Sequence, residues 1–299
     1  MKKYLEIALK IILFIASFCF LWKQIKEKDI FNIAIESNHV LIFCLIGSLF
    51  ILNWSLEILK WKIIISSIKT ISFLESSKQT ILSLIASPFV PLKLGELSIK
   101  IIYFDSSQKE KVVIAHILVN LFQLIVSLFF GIIGLVFLGI NDLKLYSSFF
   151  IVLAIIFVII LLIFIFKKTN KFGNIIQNKI NQVSFFSKKN NQKVLFISFL
   201  RYLVFLHQFY LFLVFFKTDI SYYQSIIIIS SMYALSAIIP SFSVSDLAIK
   251  GSISIYLFSF YTNETEKIFW TSSCMWIFNT LFPILIAWIW FLINKFKFK

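Results

Sequence analysis

The sequence is short of charge, cysteine, proline and glycine, and each shortage argues against something. Charged residues make up 14% of its 299 positions, against about 25% in ordinary soluble domains. A chain so poor in charge, 60% hydrophobic and with a mean hydropathy of +0.92 carries more apolar surface than an aqueous fold can use. A bilayer can use it. The three cysteines, Cys19, Cys44 and Cys274, lie far apart inside apolar stretches, which argues against a disulfide framework or a zinc site. No HExxH, CxxC, GxSxG, P-loop or dinucleotide fingerprint occurs. The longest hydrophilic stretch, 167–193, is too short for a soluble catalytic domain. The expectation is of a protein that is not an enzyme and uses no metal and no cofactor. With no Pro/Gly/Ser-rich linker, 1–299 reads as one integral membrane domain.

What is present is apolar runs. Stretches of about 18 or more apolar residues with few charges are long enough to span the hydrocarbon core as helices. Backbone groups in lipid leave helix as the default. The segments are 5–22, 40–59, 80–104, 112–139, 149–166, 194–216, 222–239, 247–261 and 268–293. The start, MKKYLEIALKIILFIASFCFLW, resembles a signal peptide but lacks a small-residue cleavage site, so it reads as an uncleaved first helix.

The formal net charge is +15. The lysines fall in short runs between apolar segments, which is the pattern of cytoplasmic loops and not of a nucleic-acid surface. Loop 167–193 carries seven lysines and no acid and should be cytoplasmic. The same holds for 60–78 and for the tail with Lys295, Lys297 and Lys299. The near-neutral 141–148 and 262–267 should face outward. Apolar residues at helical spacing in 167–193 suggest a basic amphipathic helix on the inner leaflet, or else a solvated loop.

Parity then constrains two segments. Segment 80–104 must begin and end inside, and 222–261 must begin and end outside. The fold class expected is all-α: a polytopic transmembrane bundle of about six full spans. Two proline-broken re-entrant segments enter it from opposite faces in an inverted-repeat-like arrangement, which points to a site near the midplane. The first reads TILSLIASPFVPLKLGELSIKIIYF, with Pro88, Pro91, Lys93, Gly95, Glu96 and Lys100. The second reads SMYALSAIIPSFSVSDLAIKGSISIYLF, with Pro240, Ser243, Asp246, Lys250 and Gly251. In each, proline stops a helix and a second helix opens with a carboxylate four residues before a lysine, a spacing that allows pairing. Four deep charges would cost about 10–14 kcal/mol if uncompensated. So they either pair around a wet cavity or sit at headgroup level as anchors.

Other polar residues fall within spans. Glu57, beside Lys60, Trp61 and Lys62, reads as an interfacial anchor. His116 and Asn120 lie one helical turn apart, and a buried His there reads as a helix–helix hydrogen bond. Arg201, the sequence's one arginine, reads as an anchor or a phosphate clamp.

The string Pro91-Leu-Lys-Leu-Gly95-Glu96-Leu-Ser-Ile-Lys100 resembles the P-G-[RK]-[LI]-G-E-x-x-[RK] motif of the lysylphosphatidylglycerol synthase transmembrane-region family. Pro91, Lys93, Gly95, Glu96 and Lys100 fit it. Trp61-Lys62 is similar to the family's W-R/K signature, and Pro240 to Gly251 to its P-x-x-x-G-G-x-G-x-R-E-G, through Pro240, Leu247 and Lys250. The resemblance implies a flippase-like domain whose partner is a membrane lipid. That lipid would be an anionic or aminoacylated phospholipid, or an isoprenoid-linked one. The soluble synthase domain found in some relatives is not expected after Lys299. The expected site joins Pro91, Lys93, Gly95, Glu96, Lys100, Pro240, Ser243, Asp246, Lys250 and Arg201. The expected location is the bacterial cytoplasmic membrane, with both termini cytoplasmic. The alternatives are a non-catalytic scaffold for a lipid or glycan synthase, and a membrane-embedded transferase.

Overall fold

A computed structural model describes residues 37–90, 93–141, 186–239, 243 and 245–293. The first apolar segment, segment 149–166 and most of loop 167–193 lie outside the described residues, as do Pro91 and Pro240. Packing divides the chain into Met1–Leu45 and Ile46–Lys299. Of the first unit, only the opening turns of a helix that continues into the second are described.

The helices are α1 (Ser37–Ile65), α2 (Phe73–Ser83), α3 (Leu94–Ile101), α4 (Lys109–Asn141), α5 (Lys188–Phe215), α6 (Tyr222–Ile238), α7 (Ser245–Phe258) and α8 (Thr265–Ile293). No strand occurs among the described residues. Four of these helices are long and apolar enough to cross a membrane: α1 from His39, α4 to Leu138, α5 and α8. They match four of the six full spans expected. The other two, 5–22 and 149–166, are not described.

These helices bury their polar residues and expose their apolar ones, the reverse of a water-soluble helix. In α1, Asn53, Glu57 and Lys60 are buried while Ile51 is 66% exposed. In α4, His116 is buried while Ile117, Ile125 and Phe129 are exposed. A lipid solvent favours this arrangement, since apolar side chains lose nothing by facing it and polar ones must find partners inside.

Small residues set the closest helix approach. A Cβ on Gly131 of α4 would lie 2.1 Å from the Ala234 Cβ, and one on Gly134 would lie 2.8 Å from the Ile227 carbonyl oxygen. Across from them α6 presents Ser230, Ser231 and Ala234. The serine hydroxyls donate back to carbonyls four residues earlier, so they pack as small, satisfied groups. Gly131→Val is expected to lower stability by about 1–3 kcal/mol through overpacking, read as a lower melting midpoint in detergent.

The two proline-broken segments fold back on themselves. Before α2, Ile71 sits in one apolar cluster with Trp61, Ile64 and Val112; after α3, Phe104 sits in the same cluster. The hairpin α2–α3 therefore starts and finishes at one end of the bundle. The ends of the hairpin α6–α7 also meet. The Asp219 N–H donates to Glu264 Oε2 at 2.9 Å, and Lys267 donates to Glu264 Oε1 and to the Lys217 carbonyl. Slight burial raises the Glu264 pKa, but Lys267 and the Asp219 N–H outweigh it and hold the carboxyl below its usual value. The stability this gives is present above the ordinary carboxylate range and fades as pH falls through the depressed value. Glu264→Gln should remove that acid-side dependence at a cost of about 1 kcal/mol or less, measured as melting midpoint against pH.

Helix α8 contains one wide turn, Ile277–Leu281. Pro283 follows it, and a proline ring clashes with the carbonyl four residues back, here that of Asn279. The wide turn relieves this clash, and Asn279 lies within it.

Candidate functional site

The interruptions of the two hairpins touch. Ser243 Oγ donates to the Ser87 carbonyl at 3.1 Å, and Trp276 Nε1 donates to the Ser243 carbonyl at 2.7 Å. Beside this junction opens a cavity of about 510 Å³. Lys93 and Glu96 line it from the first hairpin, Asp246 and Lys250 from the second, and Arg201 from α5.

Each charged residue is placed by local backbone. Lys93 caps α3 with φ 59°, the left-handed region. Its carbonyl lies 3.2 Å from His116 Nε2, which is also 3.2 Å from Asn120 Nδ2, so Nε2 either donates to the Lys93 carbonyl or accepts from Asn120 according to its tautomer, while Asn120 donates to the His116 carbonyl at 2.9 Å. His116 thus fulfils the helix–helix role read from its sequence position. Gly95 lets α3 start directly against the previous helix. A Cβ there would stand 2.4 Å from the Ala86 carbonyl oxygen, so no other residue fits without moving backbone.

The acid–lysine couples differ from one another. Asp246 and Lys250 form the expected ion pair at 2.7 Å. Glu96 and Lys100 do not: no ion pair joins them among the described residues. Lys100, 2% exposed, turns its ammonium over the Trp61 ring at 4.4 Å from the centroid, a cation–π contact. Glu96, 8% exposed, keeps its carboxylate on the cavity wall with no hydrogen-bonded partner among the described residues. Spacing allowed the pair; the buried indole of Trp61 took the lysine away.

Glu57 also departs from its expected place. It is 6% exposed, with Lys60 and Trp61 at 1%, because α2, α4 and α5 all pack on this end of α1. Trp61 Nε1 donates to Gln79 Oε1 at 2.8 Å, and Ser76 Oγ donates to the Ile58 carbonyl. Glu57 Oε2 lies 2.8 Å from Lys60 Nζ and 2.9 Å from an Arg201 terminal nitrogen. Arg201 is therefore not an interfacial anchor. Its Nε donates to Asn53 Oδ1 at 2.8 Å, and its guanidinium lies over Phe205.

A polar ladder continues from there. Asn53 donates to Asn279 Oδ1 at 2.7 Å, and Asn279 donates to Gln208 Oε1 at 2.8 Å. Lys60 donates to Gln123 Oε1, which sits on α4. Asn53, Gln123 and Asn279 stand singly in apolar stretches of the sequence. Their partners lie 63 to 226 residues away, and no local pattern encodes that.

The family model described as Lysylphosphatidylglycerol synthase TM region matches residues 7–245, most of the chain, ending within the second interruption. No curated protein and no solved structure matches the chain.

Proposed function

Because the chain belongs to the lysylphosphatidylglycerol synthase TM region family and is a multi-pass membrane protein, we propose that it carries the headgroup of a phospholipid or lipid-linked anion between leaflets without converting it chemically. The observation that carries this reading is the contact between the two interruptions at Ser243 and Ser87, with charged residues of both hairpins facing one cavity. A chamber with charged groups on its wall, built where two broken helices meet, is what a headgroup needs to cross an apolar barrier.

In this reading the hairpins are re-entrant, α2–α3 from the cytoplasmic side and α6–α7 from the outer side of a bacterial cytoplasmic membrane, with both termini cytoplasmic. The first-turn amides of α3 and α7 offer donors to a phosphate. Lys93, Lys250 and Arg201 supply countercharge, and Lys100 adds to the field from behind the wall. Asp246 orients Lys250. Glu96, unpaired, answers the headgroup directly or holds the lysines near it.

The test is leaflet exchange of fluorescent lipid in vesicles holding the purified protein. Exchange should rise well above protein-free vesicles, and Glu96→Ala and Asp246→Ala should each abolish the gain while the variants keep their melting midpoints. Undiminished exchange in both folded variants would overturn the assigned roles. A tightly co-purifying synthase together with no exchange would favour the scaffold alternative.

A further inference from the structure

The charges around the cavity do not cancel. Among the described residues, Lys60, Lys93, Lys100 and Arg201 all act on Glu57, and Glu57 and Glu96 both act on Lys100. On the opposite hairpin Asp246 and Lys250 offset each other at 2.7 Å. Counted formally among the described residues, these four cations exceed the two carboxylates by two. Burial weakens the screening that would make such an excess cheap at a surface.

The hydrogen-bonding groups lean the same way. Arg201 uses Nε on Asn53 and one terminal nitrogen on Glu57. Its other terminal nitrogen has no partner among the described residues. The Trp54 indole N–H and the Tyr233 hydroxyl are buried without a partner, and both residues line the cavity. Guanidinium and indole N–H can only donate, and a phenol donates readily to an anion. Glu96 is the one unpartnered carboxylate among the described lining residues, and Lys100 and Lys93 lie within its electrostatic reach or beside it on the wall.

We infer that the headgroup taken here is a phosphate carrying net negative charge, best a phosphomonoester or pyrophosphate on a lipid, and not an aminoacylated or zwitterionic one. This rests on the lipid-handling reading above and narrows it. A dianion neutralises the excess and accepts from Arg201 and Lys93 in the charge-assisted bonds that phosphate favours, with the unspent donors of Trp54 and Tyr233 buried beside the cavity. A cationic amino group would enter surroundings already positive, with Glu96 alone to receive it.

The experiment is a thermal-shift titration of the purified full chain in neutral detergent, since a ligand that binds only the folded state raises its midpoint. The probes are dioctanoyl phosphatidic acid, farnesyl phosphate, dioctanoyl phosphatidylglycerol, dioctanoyl phosphatidylcholine, lysyl-phosphatidylglycerol and inorganic phosphate. The two lipid phosphomonoesters should bind about tenfold or more tighter than phosphatidylcholine and lysyl-phosphatidylglycerol, as expected for added bonds to charged groups. Lys93→Asn, which keeps a residue tolerant of the left-handed cap, should lower phosphomonoester affinity about tenfold. Tyr233→Phe, which removes one hydroxyl, should lower it severalfold. Tightest binding of lysyl-phosphatidylglycerol, or equal binding of all lipids, overturns the inference. Inorganic phosphate binding as tightly as the lipid phosphates overturns its lipid part. The same lipids run in the vesicle assay separate the two claims. A phosphomonoester binding preference without exchange sinks translocation and leaves the headgroup assignment standing; exchange without that preference does the opposite.

Discussion

Glu57→Ala should be among the most damaging single substitutions in the chain, lowering stability by about 3–5 kcal/mol. The carboxylate lies within 2.9 Å of both Lys60 and Arg201, so its loss strands two buried cations. Each retains only a neutral acceptor, Gln123 for Lys60 and Asn53 for Arg201. A net stability of about 5–15 kcal/mol leaves little margin for that. Replacing Glu57 and Lys60 together by methionine should cost less than Glu57→Ala, because one stranded cation remains instead of two. Chemical denaturation in detergent would measure both. A cost under about 1 kcal/mol for the single variant would mean the cluster is solvated like a surface pair.

Gly95→Ala has the second large effect, and it should strike function as well as stability. The added methyl would meet the Ala86 carbonyl oxygen at 2.4 Å and its carbon at 2.7 Å. Both are backbone atoms, so no rotamer change makes room. Overpacking of this kind costs about 1–3 kcal/mol. Relieving it must push the start of α3 away from the hairpin turn, carrying Lys93 and Glu96 off the cavity wall. Exchange should therefore fall far more than the melting midpoint does. Gly251→Ala is the control. It belongs to a string that sequence resemblance singled out, yet a Cβ there meets nothing within 4 Å. In mid-helix it should stabilise by roughly 0.5–1 kcal/mol through propensity alone. Equal loss of exchange from both glycines would show that the motif matters for something other than close backbone approach.

The elements themselves were readable before any packing was known. Apolar length marked α1, α4, α5 and α8, and the lysine pattern forced 80–104 and 222–261 each to return to its own side. In the structure the ends of each segment meet, with Ile71 and Phe104 in one cluster and Asp219 joined to Glu264. The i to i+4 pairing rule, applied twice, succeeded for Asp246 and Lys250 and failed for Glu96 and Lys100. The difference lies in a tertiary neighbour. Nothing local to Lys100 announces that the Trp61 ring will lie against it. Glu57 was misplaced for a related reason. Its sequence neighbours Lys60, Trp61 and Lys62 look interfacial, but Arg201 and Gln123 take up Glu57 and Lys60 while α2 packs on Trp61.

The sequence by itself determined that this chain lives in a membrane, that α2 and α6 stop short of Pro88 and Pro240, and where its carboxylates stand along those breaks. These properties follow from composition, period and backbone chemistry, all of which act over a few residues. Only the tertiary structure decided which charges meet. It placed Arg201 against Glu57 and Asn53, Ser243 against Ser87, and left Glu96 without a hydrogen-bonded partner among the described residues. Such contacts join residues more than a hundred positions apart. In a low-dielectric interior the energy of a charge depends on the few atoms that finally surround it, and no local pattern specifies those.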